Sequence, residues 1–392
     1  MSEKPRSDAR WIPVMIGLLL AVMALDAAAQ SPPDWSTLLK ENRPWAALHE
    51  LRQRQALAQI AAQVAVFVGD EAPACALFGH VEFADGVEYR DAVDVIAERV
   101  ADHRVVMLNE SHFRSAHRAF LSRLLDVLHA REFSVLAAET FASQAPGRLK
   151  NGIVDVDTGF YVADPAFAAA LRKAHALGWD FVHYEAMGGK EARESGQASH
   201  LAAWIESNPG RKLLVYAGGS HISKVPEEGW MASRFIALTG IEPMTIAQGT
   251  TACPGKEQAW PVDSSAPVVA MRDGQAVRGR GNADIVVMHP SAAIATIEAM
   301  NGGLIPICVE RVEEDTLLRA FAQGDAASAI PRAQGIVKAG EGAGHLRLAP
   351  GRYRMERERV DSREVIGDVD VPALPPGDCM VADRAVTGLP ER

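Results

Sequence analysis

Apolar residues recur at helical spacing from Trp45 to Val66 and again from Arg90 to Ala101, which predicts helices packed beside a later sheet. From Val105 the pattern becomes regular. Val105 to Leu108 is a short apolar run that predicts a strand. Ser115 then caps a predicted helix to Arg131, in which Phe120, Leu121, Leu124, Leu125 and Leu128 form one buried stripe. The cycle repeats with a strand Ser134 to Ala138, a helix Pro165 to Leu177 and a strand Asp180 to Tyr184. It continues with a helix Glu191 to Ser207, a strand Leu213 to Ala217, a helix Met231 to Leu238, and strands Met244 to Ala247 and Asp284 to Met288.

Strands alternating with helices imply right-handed crossovers, so the expected fold class is α/β: three layers, with a mostly parallel sheet flanked by helices. The pattern changes at about Ala339. His345 to Leu348, Tyr353 to Val360 and Glu364 to Val371 are short extended stretches broken by Pro350-Gly351 and Pro375-Pro376-Gly377, which predicts a small C-terminal β appendage over 339–392. The α/β domain is expected over 30–338.

Residues 1–29 carry the marks of an export signal. Lys4, Arg6 and Arg10 precede the apolar run Trp11 to Leu25, and Ala27-Ala28-Ala29 offers a small-residue cleavage site. The run is shorter than the roughly 20 residues that span a bilayer, so no stable membrane insertion is expected after cleavage, and the expected location is periplasmic or secreted. In an oxidising compartment Cys75, Cys253, Cys308 and Cys379 allow two disulfides by any of three pairings, and without a CxxC they do not suggest zinc. The formal charge of -10, from 50 acids against 40 bases with no basic run, argues against nucleic acid as a partner. A small molecule or peptide is the expected substrate.

In open parallel sheets ligands sit outside the carboxyl ends of the strands, where loops converge and helix N-termini offer free N–H groups. The residues at those positions are Asn109, Glu110 and His112, then Glu139, Glu185, Gly218 to His221, Gln248 and His289. One polar residue past a strand means little. Carboxylates and imidazoles gathered on one edge would repel or desolvate each other without a ligand, a proton or a metal among them.

Two segments share a shape: Asn109-Glu110-Ser111-His112 and Gly218-Gly219-Ser220-His221. With Glu139 after the next strand, and with Arg193-Glu194 and Ala198 ahead of Leu201 and Trp204, the stretch from Val105 to Ile222 resembles the erythromycin esterase-like, ChaN-like and TIKI/TraB-like superfamily. Asn109 stands where that family usually has Gly, and Gln197 where the esterase branch tends to have Met. The resemblance implies one of three activities: hydrolysis of a cyclic ester by a histidine that activates water, metal-dependent proteolysis, or haem binding.

The residues favour water activation. His112, oriented by Glu110 or Glu139, is the expected general base, with Arg193 and His221 stabilising the developing oxyanion. Glu185, His289 and Gln248 are expected at the substrate rim. With a divalent metal, His112, His221, Glu110 and Glu139 would be its ligands instead. The alternative is a haem protein without turnover, with Tyr161, Tyr184 and His183 near the cleft. Other signatures are weaker: no GxSxG elbow occurs, His49-Glu50 lacks the second histidine of a zincin, and Gly188-Gly189-Lys190 is too short to cradle phosphate. His117 is expected as an exposed helical histidine.

Overall fold

The computed structural model describes residues 34–72, 82–251, 266–290, 304–308, 311–341, 343–372 and 380–381. The expected export segment and Cys75, Cys253 and Cys379 lie outside them. The elements on which the site is built are strands β2 (Val105–Glu110), β3 (Phe133–Ala138), β4 (Asp180–Val182), β5 (Lys212–Gly218), β6 (Met244–Thr250) and β9 (Ile285–His289). They run parallel in the order β9-β6-β2-β5-β3-β4. Three further strands, β1 (Glu88–Asp91), β7 (Val268–Arg272) and β8 (Gln275–Ala276), extend the β9 edge in antiparallel pairs.

Alternation along β2 divides the core into two layers, because successive side chains point to opposite faces. Val106 and Leu108 pack with Phe120, Leu121, Leu124 and Leu125 of the helix Ser115–His129 and with Phe167 and Leu171 of the helix Pro165–Ala176. Val105 and Met107 pack with Ala198, Leu201 and Ile205 of the helix Lys190–Ser207 and with Phe235 of the helix Met231–Thr239. The three-layer α/β fold follows from this two-sided burial.

The early helical stretch is not one helix. It forms the helices Pro44–Arg52 and Ala58–Phe67, separated by an extended Arg54 and a 3-10 turn, Gln55–Leu57. The break lets the two helices fold back on each other, so that Leu48 and Leu51 meet Val64 and Phe67 in one cluster with Leu317. Their sheet is the C-terminal one. The second stretch also splits: Arg90 and Asp91 belong to β1, paired with β7, and the Asp91 carboxylate caps the helix Ala92–Arg99 by accepting the Val93 N–H at 2.8 Å.

The C-terminal antiparallel sheet has the order β12-β11-β14-β15, from β11 (Thr316–Ala322), β12 (Ala333–Val337), β14 (Gly351–Glu358) and β15 (Arg363–Val371). A second small sheet pairs β10 (Ile305–Cys308) with β13 (Ala343–Leu348) and β16 (Met380–Val381). The β strands of these two sheets thus begin well ahead of 339, with β10, β11 and β12. β11 is buried on both faces, so its sequence lacks the period-two signal of a half-exposed strand. The fully buried Arg319 ties this sheet to the N-terminal helices by donating to Asn42 O at 2.6 Å. Glu358 Oε1 accepts the Trp45 and Ala46 N–H groups at the start of their helix, at 3.0 and 3.2 Å.

Candidate active site

Register brings the site together. Glu110 at the end of β2 pairs with Gly218 at the end of β5, and Glu139, just past β3, donates its N–H to Tyr216 O at 3.0 Å. Three strand ends therefore share one level.

Glu110 is 3% exposed and points to the same face as Leu108. It accepts Arg118 Nε at 2.8 Å, Arg118 Nη2 at 3.0 Å and Tyr216 Oη at 2.8 Å. His112 Nδ1 lies 2.8 Å from the same carboxylate. Burial alone would raise Glu110, but Arg118 and His112 outweigh it and hold the carboxyl down at about 2. An ionised Glu110 accepts from His112 Nδ1–H, which in the neutral ring places the lone pair on Nε2. That nitrogen has no hydrogen-bond partner among the described residues. The ring is stacked on Tyr161, centroids 4.1 Å apart and planes 11° from parallel.

Arg118, fully buried, also donates to Asp164 Oδ2 at 2.8 Å. Neither Arg118, Asp164, Tyr216 nor Tyr161's stacking role was expected. The signal for Arg118 existed, since it lies three residues before Leu121 and seven before Leu125, on the helix's buried stripe.

The second half of the site hangs on Arg193. Its Nη2 donates to Glu139 Oε1 and to Glu185 Oε2, each at 2.5 Å, and its Nε donates to Glu185 Oε1 at 3.0 Å. Gln197, one turn on, donates to Glu185 Oε1 at 2.7 Å. Glu185 is therefore a strut for Arg193, not a free substrate ligand. His221 is 6% exposed, with Nδ1 2.9 Å from Glu194 Oε2 and Nε2 3.5 Å from Glu139 Oε1. Burial would lower its pKa, but the two glutamates outweigh that and raise it to about 9. His221 is thus an imidazolium at neutral pH.

Arg193 Nη1 lies 3.3 Å from His221 Nε2. Both atoms are donors when the imidazole is charged, so they cannot bond to each other. A common acceptor holds the two residues side by side, through Arg193 Nη2 and His221 Nε2. That acceptor is Glu139, kept well below the usual carboxylate range because His221 and the Gly218 N–H outweigh its burial.

His112 and Glu139 adjoin the same small space, since a Cβ on Gly218 would fall 2.4 Å from His112 Nε2 and 3.1 Å from Glu139 Oε2. The structure thus gathers His112, Glu110, Glu139, His221 and Arg193. It does not bring His289 to the rim. That residue is fully buried, 2.9 Å from Gln248 Oε1, with burial pushing its pKa down to about 3. Gln248 is turned inward too, donating to Asn109 O at 2.5 Å. Both were expected at the surface because they lie at strand ends, but His289 packs against the rings of His117 and Phe120, and Gln248 is drawn inward by Asn109.

The donor set does not fit a divalent cation. Each glutamate proposed as ligand is held by a guanidinium, Glu110 by Arg118 and Glu139 by Arg193, and His221 adds a third positive charge. Among the described residues no cluster of three or more His, Cys, Asp or Glu side chains has metal-binding geometry. Haem fits no better, because a porphyrin needs apolar walls and this edge is lined by charged groups. Tyr184 is fully buried with its hydroxyl on Tyr216 O at 3.2 Å, and His183 Nδ1 lies 2.7 Å from Phe141 O. A cavity of about 250 Å³ lined by Arg172, Asp325 and Arg332, and another of about 310 Å³ beside Arg311 and Arg359, both lie away from these strand ends. No helix among the described residues is long and apolar enough to cross a membrane.

No family model and no curated protein matches the chain. Among solved structures it is similar to the type III effector HopBA1, at 12% identity and a TM-score of 0.36, over 53% of this chain and 99% of that one. A structure described as bacterial protein toxins matches at 12% identity and a TM-score of 0.31, over 40% of this chain and 36% of that one. RRSP, a MARTX toxin effector domain from Vibrio vulnificus, matches at 15% identity and a TM-score of 0.28, over 54% of this chain and 45% of that one. At scores this low, likeness assigns neither family nor function to this chain.

Proposed function

We propose that the chain is an exported, metal-independent hydrolase of an ester, lactone or peptide bond, and a distant member of the erythromycin esterase-like superfamily that its paired histidine motifs resemble. The observation that carries this reading is the pairing of a bare imidazole nitrogen with two like-charged donors. His112 Nε2 is the general base, with Glu110 fixing its tautomer and stabilising the imidazolium that forms. Arg193 Nη1 and His221 Nε2, 3.3 Å apart, share no acceptor among the described residues, and the oxyanion of a tetrahedral intermediate supplies one.

The steps follow. His112 takes a proton from water as the water oxygen bonds to the substrate carbonyl carbon, and the carbonyl π electrons move to the oxygen facing Arg193 and His221. Collapse re-forms the carbonyl and breaks the bond to the leaving oxygen or nitrogen, which receives the proton from His112. Arg193 stays a cation throughout, since Glu185 and Glu139 outweigh its burial and raise its pKa.

The test is a screen of chromogenic esters, lactones and peptides with and without EDTA. Turnover unaffected by EDTA and abolished in His112→Ala supports the reading. Turnover that requires added metal, or that survives His112→Ala, overturns it.

A further inference from the structure

His117 is not the exposed helical histidine that its position suggests. It is 1% exposed, in the first turn of the helix Ser115–His129, with its ring centroid 4.7 Å from that of His289. Its Nδ1 accepts the Ser111 N–H at 3.0 Å, one residue before His112. A ring nitrogen that accepts carries no proton, so His117 must be the Nε2–H tautomer. Thr250 Oγ1 lies 3.4 Å from that Nε2.

The same buried layer reaches the second histidine loop. Gln248 Oε1 meets His289 Nε2 at 2.9 Å, while the Gln248 side chain and backbone donate to Asn109 O at 2.5 Å and Asn109 Oδ1 at 2.7 Å. Asn109 Nδ2 donates to Gly219 O at 2.9 Å, two residues before His221. Each bond uses the backbone or an uncharged side chain.

We infer that His117 is a positioning residue for His112: its unprotonated Nδ1 anchors the Ser111 backbone, and through Gln248 and Asn109 the layer behind it sets the His112 loop against the His221 loop. The role rests on His112 being the base. The surroundings keep the ring neutral. Burial lowers its pKa, and the groups that face it, His289 on β9, Arg114 at the helix N-cap and Arg118 on the helix itself, all oppose a positive charge on the ring. The partners on β6, Gln248 and Thr250, are uncharged. Removal of the ring acceptor would leave a backbone N–H without its partner beside the base.

The experiment uses the full chain labelled with ¹⁵N-histidine, together with amide exchange at Ser111. In the wild type, His117 is expected as a neutral Nε2–H tautomer whose Nδ1 shows a through-bond coupling to the Ser111 amide. In His117→Phe, which keeps a ring but no acceptor, Ser111 exchange should rise about tenfold or more. His117→Asn places a carbonyl oxygen near the Nδ1 position and should stay within about threefold of wild type. An Nδ1–H tautomer in the wild type overturns the inference even if no variant folds. So does unchanged Ser111 exchange in a folded His117→Phe. If exchange responds as expected but His112→Ala leaves turnover intact, the anchoring of Ser111 stands and the hydrolase reading falls.

Discussion

Gly218 and His112, over a hundred positions apart, are in contact: a Cβ on Gly218 would lie 2.3 Å from His112 Cε1. Gly218 has φ -80° and ψ 154°, an extended conformation open to any residue, so the glycine serves close approach and not backbone freedom. Gly218→Ala should therefore fold but displace the His112 ring from Tyr161 and Glu110. Hydrolysis is expected to fall by about 10²-fold or more, since a misplacement of about 1 Å can cost that much. The check is kcat together with the melting temperature, which should change little.

His112 and His221 serve one site, so their losses should not add. Either histidine changed to Ala should lower kcat by about 10²- to 10⁴-fold, and the double variant should be scarcely worse than the poorer single one. Additive losses in a double-mutant cycle would separate the two residues.

Arg118 carries a structural prediction. It is fully buried between Glu110 and Asp164, and Arg118→Leu leaves both carboxylates buried without a cation. The expected cost is about 3–5 kcal/mol, read from urea unfolding. A loss under about 1 kcal/mol would show that the carboxylates are hydrated.

The pH dependence has two limbs with different owners. The folded-state pKa of His221 is raised from 6.5 to about 9, the bonds from Glu139 and Glu194 outweighing burial, so its contribution to stability is full below pH 6.5 and is lost as pH rises through 9. Activity should fall over the same alkaline range if the imidazolium faces the oxyanion. His289 behaves in the opposite sense. Burial lowers it to about 3, so the unfolded chain takes up the proton first, and stability declines as pH falls from 6.5 towards 3. Denaturant melts of His289→Gln across pH 4–7 should show a shallower acid limb than the wild type.

Export is checked by mass spectrometry of the protein from the extracytoplasmic fraction, where the expected N-terminus is Gln30. An intact Met1 on that protein would overturn it.

The order of the parallel strands and their long helices from Val105 to Met288 was legible in the sequence because each buries its own local stripe, and periodicity is a property of neighbouring residues, whereas the short helix Ala145–Lys150 and the antiparallel β7 and β8 were not. The strand-end position of Glu110, His112, Glu139 and His221 followed from the same reading, while Arg193, in the first turn of a helix, was picked out only by the family resemblance. The sequence could not show which groups pair. Arg118 meets Glu110 and Asp164, Arg193 meets Glu139 and Glu185, and His221 is charged only because Glu139 and Glu194 flank it. Those relations join residues as far apart in the chain as Glu139 and His221, and hydrogen bonds and electric fields depend on distances that only the packed chain sets. For the same reason His117 and His289 were misplaced: whether a polar residue meets water depends on which distant residues pack over it, and these two rings pack on each other. The helix break near Arg54 and the strand Thr316–Ala322 were likewise decided by tertiary packing, one by a fold-back onto Leu317, the other by burial on both faces.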